Sequence, residues 1–270
     1  MASKASAPIG IFDSGIGGLT VAKAVRQLLP KEQIIYFGDT AHLPYGDKST
    51  AAIQAYSVKI ADVLLKSGCK LILIACNSAS AAAFDLVKEY VASKALVCNV
   101  IDPVVDYLRE FHPDQKVGLI GTKQTIHSGV YLQKVNALDV GITLESLATP
   151  LLVPMIEEGF HKNEVSHAII DSYLSQSIFE GISALVLGCT HYPLIKNQIS
   201  AYYQGEVKII DSSEIVAKSV KALLEYHNLS DKGVKRDDQF MVSDFTPSFQ
   251  HTTKLFFGEA ITLEKYPLWE

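Results

Sequence analysis

Three features are scarce in this sequence, and each scarcity removes a class of protein. Cysteine is the first. Four in 270 residues, at Cys69, Cys76, Cys98 and Cys189, are too few for a disulfide scaffold. No C-x-x-C pair occurs and the eight histidines are scattered, so a structural zinc site is not expected. Clustered positive charge is the second. Lys and Arg number 24 against 29 Asp and Glu, giving a formal net charge of −5 with no basic block. Nucleic acid and anionic membranes are thereby given no general surface to bind. Long apolar runs are the third. No segment reaches the roughly 20 residues of a membrane span, and the opening MASKASAPIG lacks the apolar core of a signal peptide. A cytoplasmic protein is expected.

What is present is ordinary for a soluble enzyme, with 48% apolar and 20% charged residues. The length suits one large α/β domain or two smaller lobes. Short, almost continuously apolar runs read as strands covered on both faces: 9–12, 34–37, 71–75, 96–101, 117–121, 184–188 and 207–210. Helical patterns lie between them, such as 50–66, with Ser49 as N-cap and Gly68 as C-cap, and 213–226. This alternation predicts an α/β fold of doubly wound, mainly parallel sheets. The polar run SDKGVKRDD (230–238) is the best linker candidate, and QFMVS, a helix from Pro247 and ITLEKYPL suggest a βαβ addition after it.

A repeat organises the rest. LILIACNSAS and ALVLGCTHYP share one layout: apolar strand, small residue, Cys, small polar residue, helix. Each follows a similar strand opener, IGIFDSG with Asp13 and VGLIGTK with Gly121, by nearly the same stretch of chain. Two related, pseudo-symmetric lobes follow: residues 1–98 with 211–270 on the Cys76 side, and 99–210 on the Cys189 side. Each lobe offers one cysteine at the end of a strand. In open α/β sheets that is where ligands sit, facing the free N–H groups of helix N-termini. Such a position favours the thiolate, so both sulfurs are expected to titrate below the usual value of about 8.5. Either cysteine alone reads equally well as a packed residue; the pair at equivalent positions argues for chemistry. Cys69 precedes a strand and Cys98 lies within one, which makes them packing residues.

Asn77 and Ser78 follow the first cysteine, Thr190 and His191 the second. These groups suit the carboxylate and ammonium of an amino acid, and equally suit helix capping. DSGIGGLTV (13–21) is Gly-rich but has no following GK[ST], and Thr20 stands where G-x-G-x-x-G needs its last Gly. A nucleotide site is therefore a poor fit. Asp13 at the strand end can cap a helix or accept and relay a cysteine proton. DTAHLPYGDKS (39–49) reads as a turn able to fold over a ligand.

Taken in order, IGIFDSGIGGLTV, YFGDTAHLPYGDKS, LILIACNSAS, VGLIGTKQT, LLVPMIEEG and LVLGCTHYPL resemble the glutamate racemases, members of the aspartate/glutamate racemase superfamily, from residue 9 to about 227. The resemblance implies two lobes with the active site between them, and interconversion of L- and D-glutamate without pyridoxal phosphate or metal, supplying D-glutamate for peptidoglycan and so for cell-wall biogenesis and cell shape. It implies Cys76 and Cys189 as the acid/base pair, Asp13 as partner of Cys76, and Glu157 and His191 as partners of Cys189. Substrate contacts would come from Asp13, Ser14, Tyr45, Gly46, Asn77, Ser78, Thr190 and His191, with Thr122 and Thr125 added. Ser78 departs from the Thr more common in the family; the hydroxyl stays and space for a methyl opens. A homodimer is compatible with the resemblance. Rival readings are a racemase of aspartate or another amino acid, a Cys–His hydrolase using Cys189 and His191, and a non-catalytic amino-acid-binding protein.

Overall fold

The strands β1, β3, β5 and β7 place a small or polar residue just past an apolar run, and those positions set where the site forms. The structure, a computed structural model, describes residues 4–160 and 163–270. In chain order the first part comprises β1 (Ile9–Asp13), α1 (Leu19–Leu28), β2 (Ile34–Gly38), α2 (Thr50–Lys66), β3 (Leu71–Ile74), α3 (Asn77–Val91), β4 (Leu96–Asn99) and α4 (Asp102–Phe111). Then come β5 (Lys116–Gly121), α5 (Lys123–His127), α6 (Val130–Asn136), β6 (Thr143–Ala148), α7 (Leu152–Glu157), α8 (Glu164–Leu174), β7 (Ala184–Gly188), α9 (Lys196–Tyr202) and β8 (Lys208–Asp211). α10 (Ser212–Tyr226), β9 (Gln239–Val242), α11 (Pro247–Phe257) and β10 (Glu264–Lys265) close the chain. The N-cap expected for α2 is present, the Ser49 hydroxyl accepting from Ala52 N–H; the C-cap is Ser67, with Gly68 one residue beyond turning the chain away at φ +77°.

Two sheets result, ordered β10-β9-β2-β1-β3-β4 and β6-β5-β7-β8, and every pairing is parallel. The stretch β2-β1-β3-β4 has the same order as β6-β5-β7-β8, so the repeat read from the two cysteine segments is a repeat of topology. Registers agree as well. Phe12 pairs with Ile74, two residues before Cys76, and Gly121 pairs with Gly188, one residue before Cys189. The helices that follow the last strand of each repeat cross between the lobes: α10 packs on α1 and α4, and α4 packs on α6. That exchange holds the two rows of strand ends face to face.

Residues 230–238 form neither helix nor strand but are not a slack tether. Gln33 Nε2 donates to the Asp237 carbonyl and Ile34 N–H to Asp238 Oδ1, each at 2.8 Å, which straps the segment along β2 on its way back to the first sheet. The βαβ addition is present as β9-α11-β10, with β10 much shorter than ITLEKYPL suggested. β6 went unread in the sequence: as an edge strand it is mostly half-buried, and TLESLA carries no continuous apolar run. Among the described residues, no helix is long and apolar enough to cross a membrane.

Candidate active site

Both cysteines emerge from a strand end into one shared cleft. Its lining includes Ser14, Tyr45, Gly46, Cys76, Asn77 and Ser78 from the first repeat, and Thr122, Glu157, Cys189, Thr190 and His191 from the second. Both cysteine residues are more than nine-tenths buried.

On the first side Cys76 is the N-cap of α3, its sulfur accepting from Ala79 N–H at 3.5 Å and lying 3.7 Å from the Ser14 hydroxyl oxygen. This helix end was expected to lower the thiol. Instead burial, reinforced by the charge of Asp13, pushes Cys76 up to about 12, against the weaker pull of the Ala79 N–H and the Ser14 hydroxyl. Two hydrogen bonds do not replace the hydration a sulfur anion loses here, so Cys76 rests as a thiol. Asp13 is itself fully buried, and burial raises its carboxyl above the usual range, while the charge of His191 and the N–H groups of Gly15, Gly18 and Ser14 oppose the rise.

The second side is built differently. Cys189 leads through a 3-10 turn, Tyr192–Ile195, into α9, so its sulfur does not cap an α-helix as Cys76 does. Its sulfur lies 3.7 Å from His191 Nδ1, and His191 Nε2 is 2.9 Å from Glu157 Oε1. Burial alone would lower the imidazole, yet hydrogen bonds and charge from Cys189 and Glu157 outweigh it and lift His191 to about 10. At neutral pH an imidazolium therefore stands between sulfur and carboxylate.

The Gly-rich loop joins the two sides, which explains its glycines better than a nucleotide would. A Cβ on Gly17 would lie 2.4 Å from His191 Cε1 and 2.6 Å from Thr190 Oγ1; one on Gly18 would lie 2.5 Å from Asp13 Cβ. Thr20 Oγ1 donates to the Thr190 carbonyl at 3.1 Å, and Thr190 Oγ1 to Asp13 Oδ2 at 3.5 Å.

Asn77 is turned so that its Oδ1 accepts from the Tyr131 hydroxyl at 2.9 Å, while its buried Nδ2 has no partner among the described residues. A buried donor left open in this way is suited to a ligand oxygen. Ser78 Oγ, Thr122 Oγ1 and Thr125 Oγ1 form a hydroxyl cluster at 2.8, 3.0 and 3.4 Å.

The chain matches the family model for Asp/Glu/hydantoin racemases over residues 19–220. It is 40% identical to the glutamate racemase of Chlorobaculum parvum over 252 residues, 93% of this chain and 92% of that one. The chain belongs to the glutamate racemase family. A 43% match to the Thermus thermophilus enzyme spans 83% of this chain and 82% of that one. The crystal structure of the Francisella tularensis glutamate racemase in complex with D-glutamate superimposes with a TM-score of 0.92 at 38% identity, covering 98% of this chain and 99% of that one.

Against this racemase fold, two anticipated contact residues stand back from the cleft. Thr125 is buried behind Thr122 and Ser78, and Asp13 lies outside the lining, with Gly15 N–H donating to its Oδ1 at 3.0 Å. Tyr45 lines the cleft, but its hydroxyl is turned away and donates to Asp39 Oδ2 at 2.6 Å. Cys69 and Cys98 do not line the cleft. Lining residues not anticipated as contacts include Gly15, Asp47, Lys123, Thr149, Pro150 and Val153. Thr149 and Pro150 follow the unread β6. Lys123 lay in plain view beside Thr122, one residue past a strand end.

Proposed function

We propose that the protein interconverts L- and D-glutamate by removing the α-proton at one of Cys76 and Cys189 and delivering a proton from the other, without pyridoxal phosphate or metal, and that the D-glutamate formed feeds peptidoglycan synthesis. The observation that carries the mechanism is the approach of two cysteines, from equivalent strands of two sheets, to a single cleft. Racemisation needs a base on one face of Cα and an acid on the other, and pseudo-symmetric lobes supply opposed faces. In one direction a thiolate takes the Cα–H proton as the opposite thiol delivers its own to the other face; in reverse the roles exchange. The carbanion between them has no cofactor to delocalise it, so a dry, closed site and nearby charge must stabilise it.

Roles follow from position. His191, held by Glu157, keeps positive charge beside Cys189, and Asp13, set back from the cleft lining, acts on Cys76 through its charge. Asn77 Nδ2 and the hydroxyls of Ser14, Ser78, Thr122 and Thr190 bind substrate oxygens, with Tyr45 and Gly46 contributing the facing wall. Thr125 supports the hydroxyl cluster.

One other reading has an observation in its favour: Cys189, His191 and Glu157 stand in the order of a Cys–His–acid hydrolase triad. It gives Cys76 no task. Incubating extensively dialysed protein separately with L-glutamate and L-aspartate, and resolving the products on a chiral column, separates the readings. D-glutamate formed without added cofactor supports the proposal. Racemisation of aspartate in preference, or hydrolysis of an ester probe with glutamate untouched, would overturn it.

A further inference from the structure

Asp39, one residue past β2, is fully buried, and its carboxylate gathers four side chains. The Tyr45 hydroxyl donates to Oδ2 at 2.6 Å, the Ser243 hydroxyl and the Trp269 indole N–H each donate to Oδ1 at 2.7 Å, and His42 Nδ1 lies 3.0 Å from Oδ2. Trp269 is the chain's single tryptophan. Its ring stands edge-on to His42 and Tyr56 at 4.5 and 5.3 Å, with Lys59 Nζ 4.6 Å from its centroid. The indole is thus held on its edge and its face, and its N–H points at the carboxylate.

Tyr45 is the other end of this chain of contacts, and it lines the cleft. The wall it belongs to has no slack on its far side: a Cβ on Gly46 would lie 2.8 Å from Thr122 Cβ in the facing repeat. A small shift of Tyr45 therefore changes the cleft itself. A buried carboxylate stays in place while its donors are complete, and losing one leaves charge short of a hydrogen bond.

We propose that Trp269 is a positioning residue for substrate binding, acting through Asp39 and Tyr45 to fix the cleft wall around Tyr45 and Gly46. The proposal rests on the racemase reading above. Trp269→Phe removes the N–H donor and leaves an aromatic ring for the neighbouring contacts. Initial rates from both enantiomers should show KM for glutamate raised about tenfold, the weight of one hydrogen bond to a charged group, with kcat changed by less than about twofold. In an Asp39→Asn background the same substitution should add less than about twofold, since the two act in series. If Asp39→Asn does not fold, Tyr45→Phe takes its place in the cycle. An unchanged KM, even with a lowered melting temperature, would assign Trp269 a purely structural part and overturn the proposal. So would a full tenfold effect surviving in the second background. The sole tryptophan gives a readout free of turnover: titrating wild-type protein with D-glutamate should change its fluorescence saturably, and a flat titration despite measured binding would contradict the coupling. Wild-type protein that racemises neither enantiomer yet shows the fluorescence change would sink the racemase reading alone.

Discussion

The two sides of the cleft share a strand order and a cysteine position, and they differ in the groups that hydrogen-bond the sulfur. Cys76 sits at a true helix N-cap over a buried carboxylate and is held protonated to about 12. Cys189 sits at a 3-10 turn beside an imidazole that keeps its charge to about 10. A duplicated scaffold thus fixes where the sulfurs stand, while the flanking residues assign one side a carboxylate and the other a cation. Placement and charge are separate layers of this site, and each can be broken alone.

The largest effect should come from removing either sulfur. Cys76→Ala and Cys189→Ala are each expected to lower racemisation by about 10²–10⁴-fold, the usual weight of a positioned acid/base group. Polarimetry on purified variants checks this, and a variant keeping more than about a tenth of wild-type rate would end the symmetric part of the account.

Neighbouring glycines sharpen the contrast. Gly17→Ala presses on His191 and Thr190 of the Cys189 side, whereas Gly18→Ala presses on Asp13 of the Cys76 side. An ångström of displacement at such groups costs roughly 10²-fold in rate. Gly17→Ala should also lower the pH at which His191 loses its proton, by parting it from Cys189 and Glu157, and Gly18→Ala should leave that pH alone. Imidazole NMR titration of the two variants decides the matter.

A subtler division is expected of the partners. Asp13→Asn and His191→Asn should slow the two directions unequally in kcat, with opposite bias, because each serves the step at its own cysteine. The enantiomers are equally stable, so kcat/KM must stay equal in both directions and any asymmetry appears in kcat and KM together. Equal losses in both directions for both variants would remove the partner assignment while leaving the two cysteines in place.

The smallest effect concerns stability. His191 is raised from 6.5 to about 10, so its contribution is complete below pH 6.5 and is lost as pH climbs towards 10. Cys76 adds to the same trend, since the unfolded thiol ionises near its ordinary value while the folded one holds its proton to about 12. Thermal melts from pH 6 to 10 should fall by several degrees, and less in His191→Asn. A melting temperature that rises with pH across this window would contradict both directions.

Much of this is legible in the sequence alone. Strands such as LILI and ALVLG are buried on both faces, so their apolar runs show them directly, and the cysteines inherit their positions from those runs. β6 was hidden because an edge strand can be half polar, and with it went Thr149 and Pro150. The rise of Cys76 was hidden for another reason. Sequence shows the helix N-terminus that favours a thiolate, but not the burial and the Asp13 carboxylate, which win. The glycines of DSGIGG carried their signal in a form easily misread, because close approach to another part of the chain looks in sequence like close approach to a phosphate.

The removal of the α-proton by one sulfur and the delivery of a different proton by the other is tested most directly by isotope. Wild-type protein is incubated with L-glutamate in deuterium oxide, and both enantiomers are separated and weighed by mass spectrometry during the first few per cent of reaction. The account predicts D-glutamate carrying one deuterium at Cα while the remaining L-glutamate keeps its protium. D-glutamate that retains the original proton, or deuterium entering L-glutamate ahead of product, would point to a single base and contradict the paired-cysteine mechanism.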